Sequence, residues 1–205
     1  MTINIVYKAK NQMNVLTKEY TADVKSLFNI VTHSIYKDRE IFVRELISNA
    51  SDACEKLFFE SQKGNHKIIT REDLKIKVIL DKDNKKVIIQ DTGIGMNSDD
   101  MVANLGTIAN SGTKSFISQH EKNDGSMIGQ FGIGFYSSFL VAEHVTVISK
   151  KFDSNTTYKW ESRGIDGFEI TEESHESHQI GDSGTKIILS IKPDAEEYLD
   201  KFRLK

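Results

Sequence analysis

Cys54 is the only cysteine in a chain of 205 residues, so no internal disulfide can form and a reducing compartment is expected. No apolar run approaches the roughly 18 residues that a membrane-crossing helix needs, so no membrane span is expected. Positive charge is not in excess: the net charge is -3, and Lys and Arg are spread along the chain without a basic tail or patch. Nucleic acid is therefore not an expected partner. The first residues, MTINIVYKAKNQ, lack the apolar stretch of a signal peptide, which points to a soluble protein of the cytoplasm or an organelle matrix. Proline is nearly absent, and the single one, Pro193, opens a final helix in DAEEYLDKF instead of marking a linker.

What is present is the composition of an ordinary globular domain, 38% hydrophobic and 28% charged, with neither internal repeat nor linker. Apolar residues from Thr21 to Tyr36 recur at helical spacing. A longer helix is expected from Asp38 as N-cap to about Gln62, stopped by Gly64. KIKVILD and KKVIIQD, joined by DKDN, read as a hairpin. Ser98, with Asp99 and Asp100, is expected to cap a short helix ending near Leu105. YSSFLVA reads as a helix, and HVTVISK, TYKWES, GFEIT and GTKIILSI as strands. Residues 106 to 128, polar and weakly periodic, suggest a mobile cover. The sum is one α/β domain with a largely antiparallel sheet.

Four constellations carry chemistry. In RELISNASDACEK, Glu45, Asn49, Asp52 and Lys56 fall within an arc of about 60° on an ideal helix, while Ile41, Leu46, Ala50, Ala53, Cys54 and Leu57 occupy much of the other side. A solvated helix face would explain the stripe, except that Ser48, Asn49, Ser51 and Asp52 are mediocre helix formers in mid-helix, a local conflict that often marks a site. A carboxylate at Glu45 can take a proton from water, and the Asn49 amide oxygen can ligate magnesium. DTGIGM, residues 91 to 96, follows a strand. A buried Asp91 there can accept from an exocyclic amino group, and its glycines let a flat base lie against backbone. GTK, residues 184 to 186, is by itself an ordinary turn. GQFGIGF, residues 129 to 135, has three glycines spaced as G-x-x-G-x-G, which fits neither the dinucleotide fingerprint nor the P-loop.

Together, E-x-x-x-N-x-x-D, D-x-G-x-G-M, G-x-x-G-x-G and G-T-K resemble the GHKL group of ATP-binding domains. The spellings RELISNASDA, DTGIGM, NLGTIANSGTK and GQFGIGFYSSFLVA are similar to the heat shock protein 90 chaperone family in particular, and the resemblance runs from about Glu19 to Arg203. It implies a two-layer α/β sandwich, a mixed and mostly antiparallel sheet with helices on one face. It also implies a nucleotide-binding domain over residues 21–205, preceded by an N-terminal extension over 1–20, with a lid over ATP at about 106–134. Under it, Glu45 matches the catalytic base that activates the attacking water, and Asn49 the ligand of Mg2+. Asp91 matches the residue that binds the adenine amino group, with water held by Thr185. Gly95, Met96 and Phe135 match pocket walls, and Asn104 a residue near the sugar and phosphates. Asp52, Ala53, Lys56 and Leu105 complete the candidate ATP/ADP set on the helices, and Ser111 and Gly112 in the lid. Gly129, Gln130, Phe131, Gly132, Ile133 and Gly134 supply the loop that brings backbone donors to phosphate, the helix beginning after it favouring anions.

The implied activity is ATP hydrolysis to ADP and phosphate in a molecular chaperone that handles client proteins, works with co-chaperones and is a homodimer at full length. In that family a cation for the transition state comes from a following middle domain, so low activity is expected of this chain alone. Asn110 stands where relatives usually carry Lys or Arg before S-G-T, which bears on lid closure. The branch leans toward bacterial or mitochondrial types. Sensor histidine kinases and type II topoisomerases share the nucleotide fold. The kinases generally lack a counterpart of Glu45, however, and the topoisomerases spell lid and helix differently. A module using nucleotide only structurally is the reading from another class. His175 and His178 form H-x-x-H without a third ligand, short of a zinc site. Trp160 reads as core and Cys54 as a small buried hydrophobe.

Overall fold

Alternation of apolar and polar residues at period two builds the sheet, and one strongly amphipathic helix covers it. The computed structural model describes residues 15–18, 39–63, 68–106, 134–164, 166–173 and 180–204. The expected helix over Thr21–Tyr36, the cap Asp38, the stop Gly64, the pair His175 and His178, and the lid residues from 107 to 133 lie outside them.

The strands are β1 (Val15–Lys18), β2 (Ile76–Asp81), β3 (Lys86–Asp91), β4 (Ala142–Lys150), β5 (Thr157–Ser162), β6 (Phe168–Glu173) and β7 (Gly184–Ile191). They form one seven-stranded sheet in the order β1-β6-β5-β4-β7-β3-β2. All the described pairings are antiparallel. Val15–Lys18, within the stretch read as an N-terminal extension, thus pairs at a sheet edge as β1. The β2–β3 hairpin turns where DKDN was read as a turn: the Asp81 carboxylate accepts from the Asn84 backbone N–H at 3.0 Å and from its Nδ2 at 2.8 Å, and Lys85 takes the positive φ of 52°.

Helix α1 (Ile41–Ser61) lies across the sheet and buries Phe42, Leu46, Ala50, Cys54 and Leu57. Its N-cap is Glu40, which makes no side-chain cap bond. Helix α2 (Ser98–Leu105) is capped by Asn97, not by Ser98: the Asn97 side chain accepts from the Asp100 N–H at 2.8 Å, and Asp100 accepts in return from the Asn97 N–H at 3.1 Å. This reciprocal capping satisfies two of the donors that a helix start leaves unpaired.

The YSSFLVA segment differs from its reading. Gly134–Leu140 is a single 3-10 stretch buried on every side, and the chain enters β4 at Ala142. Ser137 and Ser138 donate to the carbonyls of Gly134 and Phe135, so side chains take the place of the longer helical ladder. The helix start expected after the glycine loop is therefore the first turn of a 3-10 segment, not of an α-helix. The last helix is also 3-10, Pro193–Leu199, with Pro193 at its first turn.

The core fills the space between α1, the 3-10 segment and the sheet. Trp160 is fully buried, as read, and lies edge-on to Phe135 at 5.5 Å and stacked on Phe168 at 5.8 Å. Phe42, at the start of α1, meets Tyr198 edge-on at 5.4 Å and so ties the helix to the C-terminal 3-10 turn.

Candidate functional site

Inward positions of three adjacent strands set the floor of a cavity. The register aligns Ile89 of β3, Ile187 of β7 and Val147 of β4 in one apolar row. One step toward the strand ends it aligns Asp91, Thr185 and Ser149 in a polar row. Of the first row Ile187 and Val147 line the cavity and give it apolar contact area, and of the second Asp91 and Thr185 place hydrogen-bonding groups at its end.

The turn after β3 holds the wall. Gly93 packs directly on α1, where a Cβ would lie 2.6 Å from the Ala53 carbonyl carbon. The Ile94 N–H donates to the Ala53 carbonyl at 3.0 Å, and the Phe152 N–H donates to the Ile94 carbonyl at 2.8 Å. Gly95 has φ +66°, and any Cβ there would run into the Lys150 carbonyl. Both glycines are therefore required by close approach, one to a helix and the other to a strand end.

The cavity is about 720 Å³, within the range of small-molecule and cofactor pockets. Asn49, Asp52, Ala53 and Lys56 reach it from α1; Asp91, Gly95 and Met96 from β3 and its turn; Asn104 and Leu105 from α2; Phe135 and Thr185 from the remaining walls. Eleven residues scattered from 49 to 185 thus share one cavity. Ser48 and Ser51, the other weak helix formers in mid-helix, are exposed and do not line the cavity. Glu45 is not among the lining residues. Its carboxylate stands instead against Gly134, where a Cβ would collide with it. Ser111, Gly112, Gly129, Gln130, Phe131, Gly132 and Ile133 lie outside the described residues.

Asp91 is the unusual group. It is 6% exposed, accepts from the Gly93 N–H at 2.8 Å, and is pushed up to about 6 by burial, which outweighs the backbone N–H groups of Gly93 and Thr185. Burial, and then the charge of Asp91, also push the Cys54 thiol up, so that cysteine is the inert, buried hydrophobe expected of it. Sequence reasoning missed several neighbours. Lys151 pairs with Asp100 at 2.8 Å, and both line the cavity with Phe152 and Asp153. It also missed Ser149, which was signalled by a polar residue at an inward position of V-T-V-I-S.

Over residues 36–185 the sequence matches the family described as histidine kinase-, DNA gyrase B-, and HSP90-like ATPase. The chain belongs to that family of ATPases. Among curated relatives it is 48% identical over 191 residues to the Chaperone protein HtpG of Rickettsia rickettsii (strain Sheila Smith), covering 92% of this chain and 30% of that one. It is 49% identical over 195 residues to the Chaperone protein HtpG of Alkaliphilus oremlandii (strain OhILAs), with the same two coverages. These names agree with the resemblance to the heat shock protein 90 side of the family. The chain spans about 30% of the length of the curated relatives it matches. Those relatives are bacterial, and the leaning toward a mitochondrial type finds no support in them. No helix among the described residues is long and apolar enough to cross a membrane.

Proposed function

We propose that the chain is the ATP-binding, slowly hydrolysing domain of a molecular chaperone that acts on client proteins as a homodimer, with co-chaperones as further partners. The observation that carries the reading is the buried Asp91 carboxylate, beside Thr185 at the polar end of a floor that is apolar at Val147 and Ile187. An acceptor in that position rewards a ligand that brings an amino donor on a flat apolar ring, which describes adenine. A ligand lacking the donor leaves the acceptor unpaired, at about 1–3 kcal/mol.

The α1 stripe would face the rest of the nucleotide. Asn49 would hold Mg2+, which commonly takes one or two protein ligands when phosphate oxygens and water supply the rest. That fits a cavity to which Asn49 contributes an amide, in a chain whose described residues contain no ready-made cluster of three His, Cys, Asp or Glu. The cation would neutralise phosphate charge when bound. Lys56 would add a positive charge, Asn104 a polar contact to sugar and phosphate, and Glu45 would orient and deprotonate the attacking water. Phosphoryl transfer depends chiefly on such positioning and charge stabilisation.

What lines the site supports the reading of slow turnover. Lys56 and Lys151 are its cations among the described residues, and no arginine lines it. The family resemblance puts that charge in a following domain. Ser111, Gly112 and the Gly129–Gly134 loop would close over the phosphates as a lid. Calorimetric titration with ADP and Mg2+ tests the reading: saturable one-to-one binding is expected, and no heat at millimolar ligand would overturn it.

A further inference from the structure

We propose that Ser149 is a positioning residue that fixes the proton polarity of the base pocket, making Thr185 an obligate acceptor beside Asp91 and so setting the preference for a 6-amino over a 6-oxo purine. The inference rests on the adenine-nucleotide reading above and names how that site discriminates.

Ser149 is fully buried and does not itself line the cavity. Its Oγ meets three groups. The Met96 N–H donates to it at 2.8 Å, the Gly184 carbonyl oxygen lies 2.9 Å away, and the Thr185 Oγ1 lies 2.9 Å away. A serine hydroxyl has one proton to give. If that proton went to Thr185, Ser149 Oγ and the Gly184 carbonyl oxygen would face each other at 2.9 Å with no hydrogen between them, a repulsive contact in a buried place. The proton therefore goes to Gly184, and the contact with Thr185 must run the other way, Thr185 donating to Ser149. The single Thr185 proton is then spent inside the wall, and only lone pairs of Thr185 face the cavity.

Thr185 sits opposite Asp91 in the strand register, and both line the cavity. The floor thus presents two acceptors side by side. An exocyclic amino group, directly or through a water, can satisfy both. A carbonyl at the same position brings a third acceptor and no proton. The geometry has no slack in which another residue could take this part: Gly184 has φ +136°, with its missing Cβ directed at the Asp91 carbonyl, and a Cβ on Gly95 would approach the Gly184 carbonyl oxygen at 3.1 Å. Ser149 joins the ends of β3, β4 and β7 where these backbones are closest.

The test measures ADP and inosine diphosphate affinities of the 205-residue chain, since inosine carries oxygen in place of the amino group. In Ser149→Ala the Thr185 hydroxyl is free to turn into the cavity and donate. The ADP preference should narrow by about fivefold, the equilibrium equivalent of one ordinary hydrogen bond. Ser149→Thr, which keeps the hydroxyl, should restore it. In a Thr185→Val background, Ser149→Ala should leave the ratio unchanged, whereas a purely structural loss would weaken both ligands alike in either background. If Ser149→Ala does not fold, Ser149→Cys, whose sulfur is a poor acceptor, should narrow the ratio in the same direction. A folded Ala or Cys variant with the wild-type ratio overturns the inference while leaving the adenine site standing. A wild-type chain that binds ADP and inosine diphosphate equally overturns both.

Discussion

Protonation of Asp91 should switch off recognition of the base as pH falls through about 6. Burial raises this carboxyl to about 6, against the opposing effect of the Gly93 and Thr185 N–H groups. A ligand amino group needs the ionised form as acceptor, so binding competes with the proton. At pH 7.5 nearly every free molecule is ionised, while at pH 5, one unit below the midpoint, about one in eleven is. Affinity should therefore fall about tenfold between those values. Adenosine is the suitable probe, because its neutral sugar end removes phosphate titration from the comparison. Calorimetry at pH 6 in two buffers of different ionisation enthalpy should show release of about half a proton per adenosine bound. The free protein should respond in the opposite sense. Its folded pKa lies above the unfolded value near 3.9, so the folded state holds the proton more tightly between these limits. Stability should accordingly drop as pH rises from about 4 to about 6, by about 3 kcal/mol from this group. An adenosine affinity that is flat or improves from pH 7.5 to 5, or proton uptake on binding, would refute the assignment of Asp91 as the base acceptor.

Two further outcomes follow from the same geometry. Glu45→Gln in the full-length protein should lower hydrolysis by at least about 100-fold, the low end for loss of a general base, with ADP affinity within about twofold of wild type because Glu45 is outside the cavity lining. Steady-state phosphate release with parallel calorimetry separates the two, and unchanged hydrolysis would remove Glu45 from the chemistry. Gly95→Ala should cost at least about 2 kcal/mol in urea unfolding, since it combines a positive φ with a collision against the Lys150 carbonyl. A loss below half that figure would mean the turn can relax away from β4.

The legibility of the fold divides by the kind of signal. TYKWES and GTKIILSI coincide with β5 and β7 because each is a short run rich in β-branched or aromatic residues bounded by turn residues. The caps were less legible. Ser98 and Asn97 are both good cap residues, and only the return bond from Asp100 to the Asn97 N–H decides between them. YSSFLVA failed for a different reason: every residue of Gly134–Leu140 is buried, so the periodicity that distinguishes helix from other buried segments is absent. Packing against α1 and the sheet, not local propensity, sets its 3-10 form.

The site was legible where one element supplied several groups at a fixed spacing, and illegible where it is made by register. Asn49, Asp52 and Lys56 could be read as a stripe because a helix converts sequence spacing directly into a face. Lys151 and Phe152 could not, because the turn after β4 reaches the cavity only through the pairing of β4 with β7 and the bond from the Phe152 N–H to the Ile94 carbonyl. Ser149 lies between these cases. The alternation Val145, Val147, Ser149 on the inner face of β4 puts a hydroxyl where an apolar side chain is the norm. Such a position is a detectable conflict between pattern and residue. Its resolution here is long-range, since the partners of that hydroxyl are 53, 35 and 36 residues away in the chain. A polar residue at an inward strand position therefore identifies where strand ends meet, while the identity of what it organises comes from the register.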